Sequence, residues 1–164
     1  MTDSSGVLVV TTGGTIDKLY FDALSEYQVG DSVVDRLLRV GRVALPYRVV
    51  ELMRKDSLEL TDADRAAIAA TIAAAPEARV VVTHGTDTMT DTAKALAHVP
   101  AKTIVLVGAL APARFTDSDA SFNLGLAFAA AQTAAPGVWI AMNGTIFPGA
   151  HVRKDRDRNT FVAA

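Results

Sequence analysis

The stretch Val7-Leu8-Val9-Val10-Thr11-Thr12-Gly13-Gly14-Thr15-Ile16 passes from an unbroken apolar run straight into hydroxyls and paired glycines. The same change recurs at Val80-Val81-Val82-Thr83-His84-Gly85-Thr86-Asp87-Thr88-Met89. A short, continuous apolar run reads as a strand covered on both faces, the pattern of a parallel sheet with helices on either side. Further runs of this kind stand at Tyr47–Leu52, Thr103–Val107 and Val138–Met142. Between the runs lie Ala- and Leu-rich stretches that predict helices over Ser32–Arg39, Asp62–Ala75, Thr90–Ala97 and Ser118–Thr133. Thr61 precedes the second as an N-cap, with Asp62 and Asp64 in the first turn, where negative charge suits the helix dipole. Pro76, Pro100 and Pro136 each close a helix before the next strand. Strict alternation predicts an α/β fold of three layers, built on a doubly wound, mostly parallel sheet. In such sheets ligands bind beyond the carboxyl ends of the strands, near a topological switch point.

Composition narrows the function classes. The chain has 164 residues, enough for one domain, with half of them hydrophobic and 21% charged. Sixteen Lys plus Arg against eighteen Asp plus Glu leave a net charge of −2, which offers nothing for nucleic acid or an anionic membrane to bind. No cysteine is present, so thiol catalysis, disulfides and Cys–zinc sites are excluded. His84, His98 and His151 are scattered without metal-ligand spacing. No cofactor or metal is therefore expected. The segment from Met1 to Gly6 lacks the basic residues and long apolar run of a leader, and no run approaches the about 20 apolar residues of a membrane span. The expected location is cytoplasmic.

The two Gly-Thr segments fall at equivalent strand ends. Paired glycines let a backbone turn sharply and approach a ligand, and neighbouring hydroxyls supply nucleophiles or donors. The glycine spacing is not that of a dinucleotide fingerprint, and the Gly-Lys-Ser/Thr of a phosphate loop is missing. Each segment taken singly also reads as an ordinary strand-to-loop turn, and Asp87 as a plain helix cap. Tyr27 alone reads as loop packing. Lys154, within Arg153-Lys154-Asp155-Arg156-Asp157-Arg158, alone reads as part of a solvated charged tail.

Taken in order, the segments resemble the bacterial-type L-asparaginase/glutaminase family. Thr12–Ile16 and His84–Met89 match its two signatures unbroken, and Glu26–Gly30, Asp56–Leu60, Val107-Gly108-Ala109 with Pro112, Phe122-Asn123-Leu124 and His151–Lys154 follow in sequence. The resemblance runs from about residue 7 to the end and implies the fold of the family's N-terminal domain. It implies one asparaginase-like N-terminal domain over residues 1–164, without the family's smaller second domain. Carried over residue by residue, it makes Thr12 the nucleophile, with Tyr27 beside it on a flap. It makes Thr86, Asp87 and Lys154 a second catalytic group. Ser57 and Asp87 would hold the substrate's α-carboxylate and α-amino group, with Asp56, Gly85 and Thr86 completing the substrate-binding set.

The implied activity is hydrolysis of L-asparagine to L-aspartate and ammonia, a step of asparagine catabolism. That chemistry needs a nucleophile, a route for protons and donors for the developing oxyanion. Tyr27 suits the proton of Thr12, a desolvated Lys154 that of Thr86, and the N–H groups around Gly85 and Thr86 suit the oxyanion. Two alternatives stay open: an amidotransferase-type subunit that needs a partner, and a non-catalytic domain that senses asparagine or aspartate. Positive mean hydropathy, together with Phe147, Pro148 and Phe161 near the C-terminal end, predicts a homo-oligomer. In it a neighbour covers those residues and steadies Lys154.

Overall fold

Strand β1 (Val7–Gly13) lies between β4 (Tyr47–Lys55) and β5 (Arg79–Thr83), parallel to both, with Val9 level with Val49 and Val81. Beyond β5 come β6 (Thr103–Val107), β7 (Gly137–Met142) and β8 (Thr145–Pro148), giving the order β4-β1-β5-β6-β7-β8. Within this sheet, among the described residues, β8 alone runs antiparallel to its neighbour. The computed structural model describes residues 5–164; Met1 to Ser4, which open the segment expected to carry no leader, lie outside the described residues.

Alternate side chains along the apolar strands feed two cores. Leu8, Val10, Val80, Val82, Ile104 and Leu106 meet helices α2 (Asp62–Ala74) and α3 (Met89–Leu96) through Ile68, Ile72 and Leu96. On the other face Val7, Val9, Val81, Val105 and Val107 meet α1 (Val34–Val40) and α4 (Ala120–Thr133) through Leu38, Leu124 and Phe128. Every one of these strand residues is fully buried. Burying a Val, Leu or Ile side chain contributes about 1.5–3 kcal/mol, so this double core is what holds the strand ends in register. The chain steps from β1 to β4 on one side and then to β5 on the other. The switch point therefore falls between the ends of β1 and β5.

The expected doubly wound sheet is observed, with corrections at its margins. Helix α1 begins at Val34 and not Ser32, because the Ser32 hydroxyl accepts the Val34 N–H at 3.3 Å instead of joining the helix. Helix α4 begins at Ala120 and not Ser118 for the same reason, the Ser118 hydroxyl accepting the Ala120 N–H at 3.1 Å. Thr61 does cap α2, in a reciprocal box with Asp64.

Three pieces escaped the reading of five strands: edge strand β8 and two hairpins. One hairpin pairs β2 (Lys18–Phe21) with β3 (Glu26–Val29) and forms the flap. The other pairs β9 (Val152–Asp155) with β10 (Thr160–Ala163), so the charged run around Lys154 is a strand and not a solvated tail. Phe147 and Phe161, expected to be covered by a neighbour, are 8% and 3% exposed within the chain itself. They fold back onto the core under α2 and α3, and Lys154 is steadied by its own chain. Among the described residues no helix is long and apolar enough to cross a membrane.

Candidate active site

Thr11 and Thr83 are opposite one another where β1 and β5 end. After Thr11 the β1–β4 register shifts by two residues, the extra residues lying on β4, so that Gly13 is level with Lys55. Thr12 is 1% exposed, and its hydroxyl donates to the Thr83 carbonyl at 2.7 Å. Gly14, at φ 88°, lies flat on the second segment: a Cβ there would come within 2.5 Å of the Gly85 Cα. A Cβ on Gly85 would in turn strike the Ser57 Oγ at 2.7 Å. The two glycines thus allow three backbone segments to stack, which no larger residue permits. Through that stack Thr12, Gly85 and Ser57 become neighbours although they come from distant parts of the sequence.

Next to the stack, Lys154 reaches down from β9. Its Nζ donates to the Thr86 Oγ1 at 2.8 Å and to the Asp87 Oδ1 at 2.9 Å. The Lys154 side chain is 13% exposed and that of Asp87 35%, so the ion pair lies partly out of water, where charge-assisted bonds are stronger. Asp87 is this amine's partner rather than a helix cap. On β10, Phe161 is level with Lys154 and sinks into the core, which fixes the lysine's strand.

Ser57, 1% exposed, sits in a single 3₁₀ turn over Ser57–Glu59. Thr88 anchors it by donating its hydroxyl to the Ser57 carbonyl at 2.7 Å. Asp56 caps the same turn, accepting the Leu58 N–H at 3.1 Å and pairing with Lys18 at 3.0 Å. Burial pushes the Asp56 carboxyl up, but the Leu58 N–H and Lys18 outweigh it and leave the group below its ordinary range. A cleft of about 420 Å³ opens here, lined by charges of both signs: Lys18, Arg54, Glu26, Asp56 and Glu59, with Tyr27 at its edge.

His84 is fully buried, with one ring nitrogen 2.6 Å from the Gly85 carbonyl and the other 2.7 Å from the Thr92 hydroxyl. Burial lowers it to about 4, so it is a neutral structural ring at ordinary pH. Among the described residues no three His, Asp or Glu side chains gather as a metal site.

Of the residues singled out from sequence, Lys154 is bonded to both Thr86 and Asp87, and Thr12, Gly85, Ser57 and Asp56 surround the same strand ends. Tyr27 is apart. It is 51% exposed, its ring packs edgewise on Tyr20 at 5.4 Å and Phe115 at 5.8 Å, and among the described residues no hydrogen bond joins it to Thr12. Sequence reasoning missed Lys18 and Asp17. Neither belongs to a motif that announces a role, and Lys18 finds Asp56 only through the fold.

The family description "Asparaginase, N-terminal" matches residues 6–162. The chain is 32% identical over 165 residues to the glutaminase-asparaginase of Acinetobacter glutaminasificans, covering 92% of this chain and 50% of that protein. Among solved structures, the thermostable L-asparaginase from Thermococcus kodakarensis superposes with a TM-score of 0.85 at 27% identity, over 96% of this chain and 51% of that one. L-asparaginase I from Vibrio cholerae O1 gives 0.84 at 26% identity, over 97% and 51%. The chain thus spans about half the length of these relatives.

Proposed function

The chain belongs to the asparaginase family, matching its N-terminal domain, and on that premise we propose that it hydrolyses the side-chain amide of L-asparagine to L-aspartate and ammonia. The observation that carries this reading is the bonded group Thr86–Asp87–Lys154 set beside Thr12 at the switch point of the sheet. Four functional groups converge there from three separate elements, within a glycine stack that leaves space for little else.

In this reading the Thr12 oxygen attacks the amide carbon and its proton leaves through Tyr27 once the flap closes. The carbonyl oxygen gains charge and is met by the N–H groups of Gly85 and Thr86, neither of which donates to a backbone carbonyl among the described residues. Preorganised donors of this kind typically supply about 10²–10³ in rate. The C–N bond breaks, ammonia departs with a proton, and an ester remains on Thr12. Asp87 takes a proton from the Lys154 ammonium, the freed amine receives one from water through Thr86 as the resulting hydroxide cleaves that ester, and the proton held by Asp87 returns to the Thr12 oxygen to restore the hydroxyl. Ser57 and Asp87 hold the α-carboxylate and α-amino group, with Asp56 orienting the Ser57 turn. No metal or cofactor takes part in this reading, so EDTA should leave the rate unchanged.

A second reading has Thr86 attack first, favoured by its being the threonine bonded to an amine. Mass spectrometry of acid-quenched turnover separates the two: the ester lies on the peptide containing Thr12 in the first case and on that containing Thr86 in the second. The activity itself is tested by coupled ammonia release from asparagine, glutamine and buffer alone. We further propose self-association over the flap, where Tyr20, Phe21, Leu24 and Phe115 are 43–56% exposed. Light scattering at constant mass on dilution, with a monomer's value, would refute it.

A further inference from the structure

Both ends of the flap hairpin converge on one buried residue. Asp17 follows the Thr12–Ile16 segment directly and is 1% exposed. A single carboxylate oxygen, Oδ1, accepts the Val33 N–H at 2.9 Å and the Ser32 hydroxyl at 3.2 Å. The backbone carbonyl of the same residue accepts the Gly30 N–H at 3.0 Å and the Arg114 guanidinium at 2.8 Å. Arg114 reaches on to the carbonyls of Lys18, at 3.4 Å, and Asp31, at 3.0 Å. The entry and the exit of the hairpin are therefore fastened at one point, while the hairpin's outer half carries exposed Tyr20, Phe21, Leu24 and Tyr27.

The arrangement is costly to the fold. Arg114 contacts carbonyls and gives the Asp17 carboxylate no hydrogen bond. Burial pushes that carboxyl up to about 6, against the opposing effects of Val33, Ser32 and Arg114 and with some help from Glu51. A buried charge without a bonded cation is disfavoured unless it secures something else. What it secures here is the path of the flap that carries Tyr27.

We propose that Asp17, clamped by Arg114, is a positioning residue that holds the flap stems in place and so sets how often Tyr27 closes over Thr12. The inference rests on the asparaginase reading for its kinetic consequence, and on geometry alone for its effect on the flap. If a substrate-competent flap is populated less often, apparent affinity falls by that fraction while the closed complex turns over as before. A residue that merely starts α1 would alter stability and leave the affinity unchanged.

The test compares wild type, Asp17→Ala, Asp17→Asn and Arg114→Met by hydrogen exchange over residues 18–33 and by steady-state kinetics on asparagine. Asp17→Ala removes the shared acceptor. Flap exchange should rise by about tenfold or more, with exchange in β5 and β6 unchanged, and KM should rise by a similar factor with kcat within about twofold. Asp17→Asn keeps an oxygen where both donors need it and should return both readouts to within about twofold of wild type. Should Asp17→Ala fail to fold, Arg114→Met at its surface position carries the same expectation. Wild-type exchange and KM in the variants that fold, or an Asp17→Asn protein as impaired as Asp17→Ala, overturns the proposal. If wild type releases no ammonia, the asparaginase reading fails and the exchange data alone decide the role of Asp17.

Discussion

At the strand ends, Thr12, Thr86 and Lys154 are bonded and buried or nearly so, Thr12 on β1, Thr86 just beyond β5 and Lys154 on a hairpin whose Phe161 sinks into the core. On the flap, Tyr27 is half exposed, paired through the hairpin backbone with Tyr20, and its ring rests edgewise on Tyr20 and Phe115. The proposed reaction draws on both regions, yet different forces hold them. The first inherits its rigidity from two apolar cores that interleave through the sheet. The second depends on a few bonds at Asp17 and Arg114. The contrast teaches that half of the site is preorganised by the fold and the other half must be brought to it, so substitutions in the two halves should fail differently.

The largest effects belong at the strand ends. Thr12→Ala, Thr86→Ala and Lys154→Ala should each lower kcat by on the order of 10²-fold or more, the scale for removing a positioned nucleophile or acid–base group. Tyr27→Phe should cost less, about tenfold, because water reaches the exposed flap and substitutes in part for the phenol. Steady-state kinetics on the four proteins measures the difference. A Tyr27→Phe loss as large as that of Thr12→Ala would break the division between the halves.

Next comes pH. The Asp17 carboxyl ordinarily titrates near 3.8 and in the fold at about 6, so between these values the folded state keeps a proton that the unfolded chain has lost. Stability from this group is therefore greatest below pH 4 and falls as pH rises through 6. His84 works in reverse. Its ordinary value of 6.5 drops to about 4, and stability is lost as pH falls through that window. Asp17→Asn removes the first limb. Urea midpoints should show it more stable than wild type by about 2–3 kcal/mol at pH 8 and equal to it at pH 4. Its own stability should decline below pH 6.5, with His84 now unopposed. Equal midpoints at pH 8 would mean that Asp17 carries no burial cost.

The smallest effects should come from hydroxyls beside the site. Thr11 is fully buried, and its Oγ1 finds no hydrogen-bond partner among the described residues. Thr11→Val should leave kcat within about threefold and raise stability by up to about 1 kcal/mol, since an unpaired buried hydroxyl is removed at constant shape. A large loss of activity would give Thr11 a part in the chemistry and sharpen the boundary of the strand-end half.

How much could be read from sequence follows the same division. The strands at 7–10, 80–82 and 103–107 were legible because burial on both faces forces continuous apolar runs. The Gly-Thr segments were legible because a backbone stack as close as Gly14 on Gly85 admits no other residue. The flap hairpin and the β9–β10 hairpin were not, since each of their strands is only four residues long and mixes apolar with polar or charged residues, too short a run to betray a strand. Lys18 and Asp17 were missed because their partners are set by the fold, and an isolated Lys or Asp after a motif carries no local signal. Phe147 and Phe161 misled for a related reason: β8 and the β9–β10 hairpin bury them inside the chain, a return that composition does not announce.

The central claim is that the strand-end group performs amide hydrolysis. Its most direct test is coupled ammonia release from L-asparagine by wild type, Thr12→Ala and Lys154→Ala, with folding verified by circular dichroism. The account predicts steady turnover by wild type and a loss of on the order of 10²-fold or more in both folded variants. Ammonia release by either variant at the wild-type rate, or none from the wild-type protein, would contradict it.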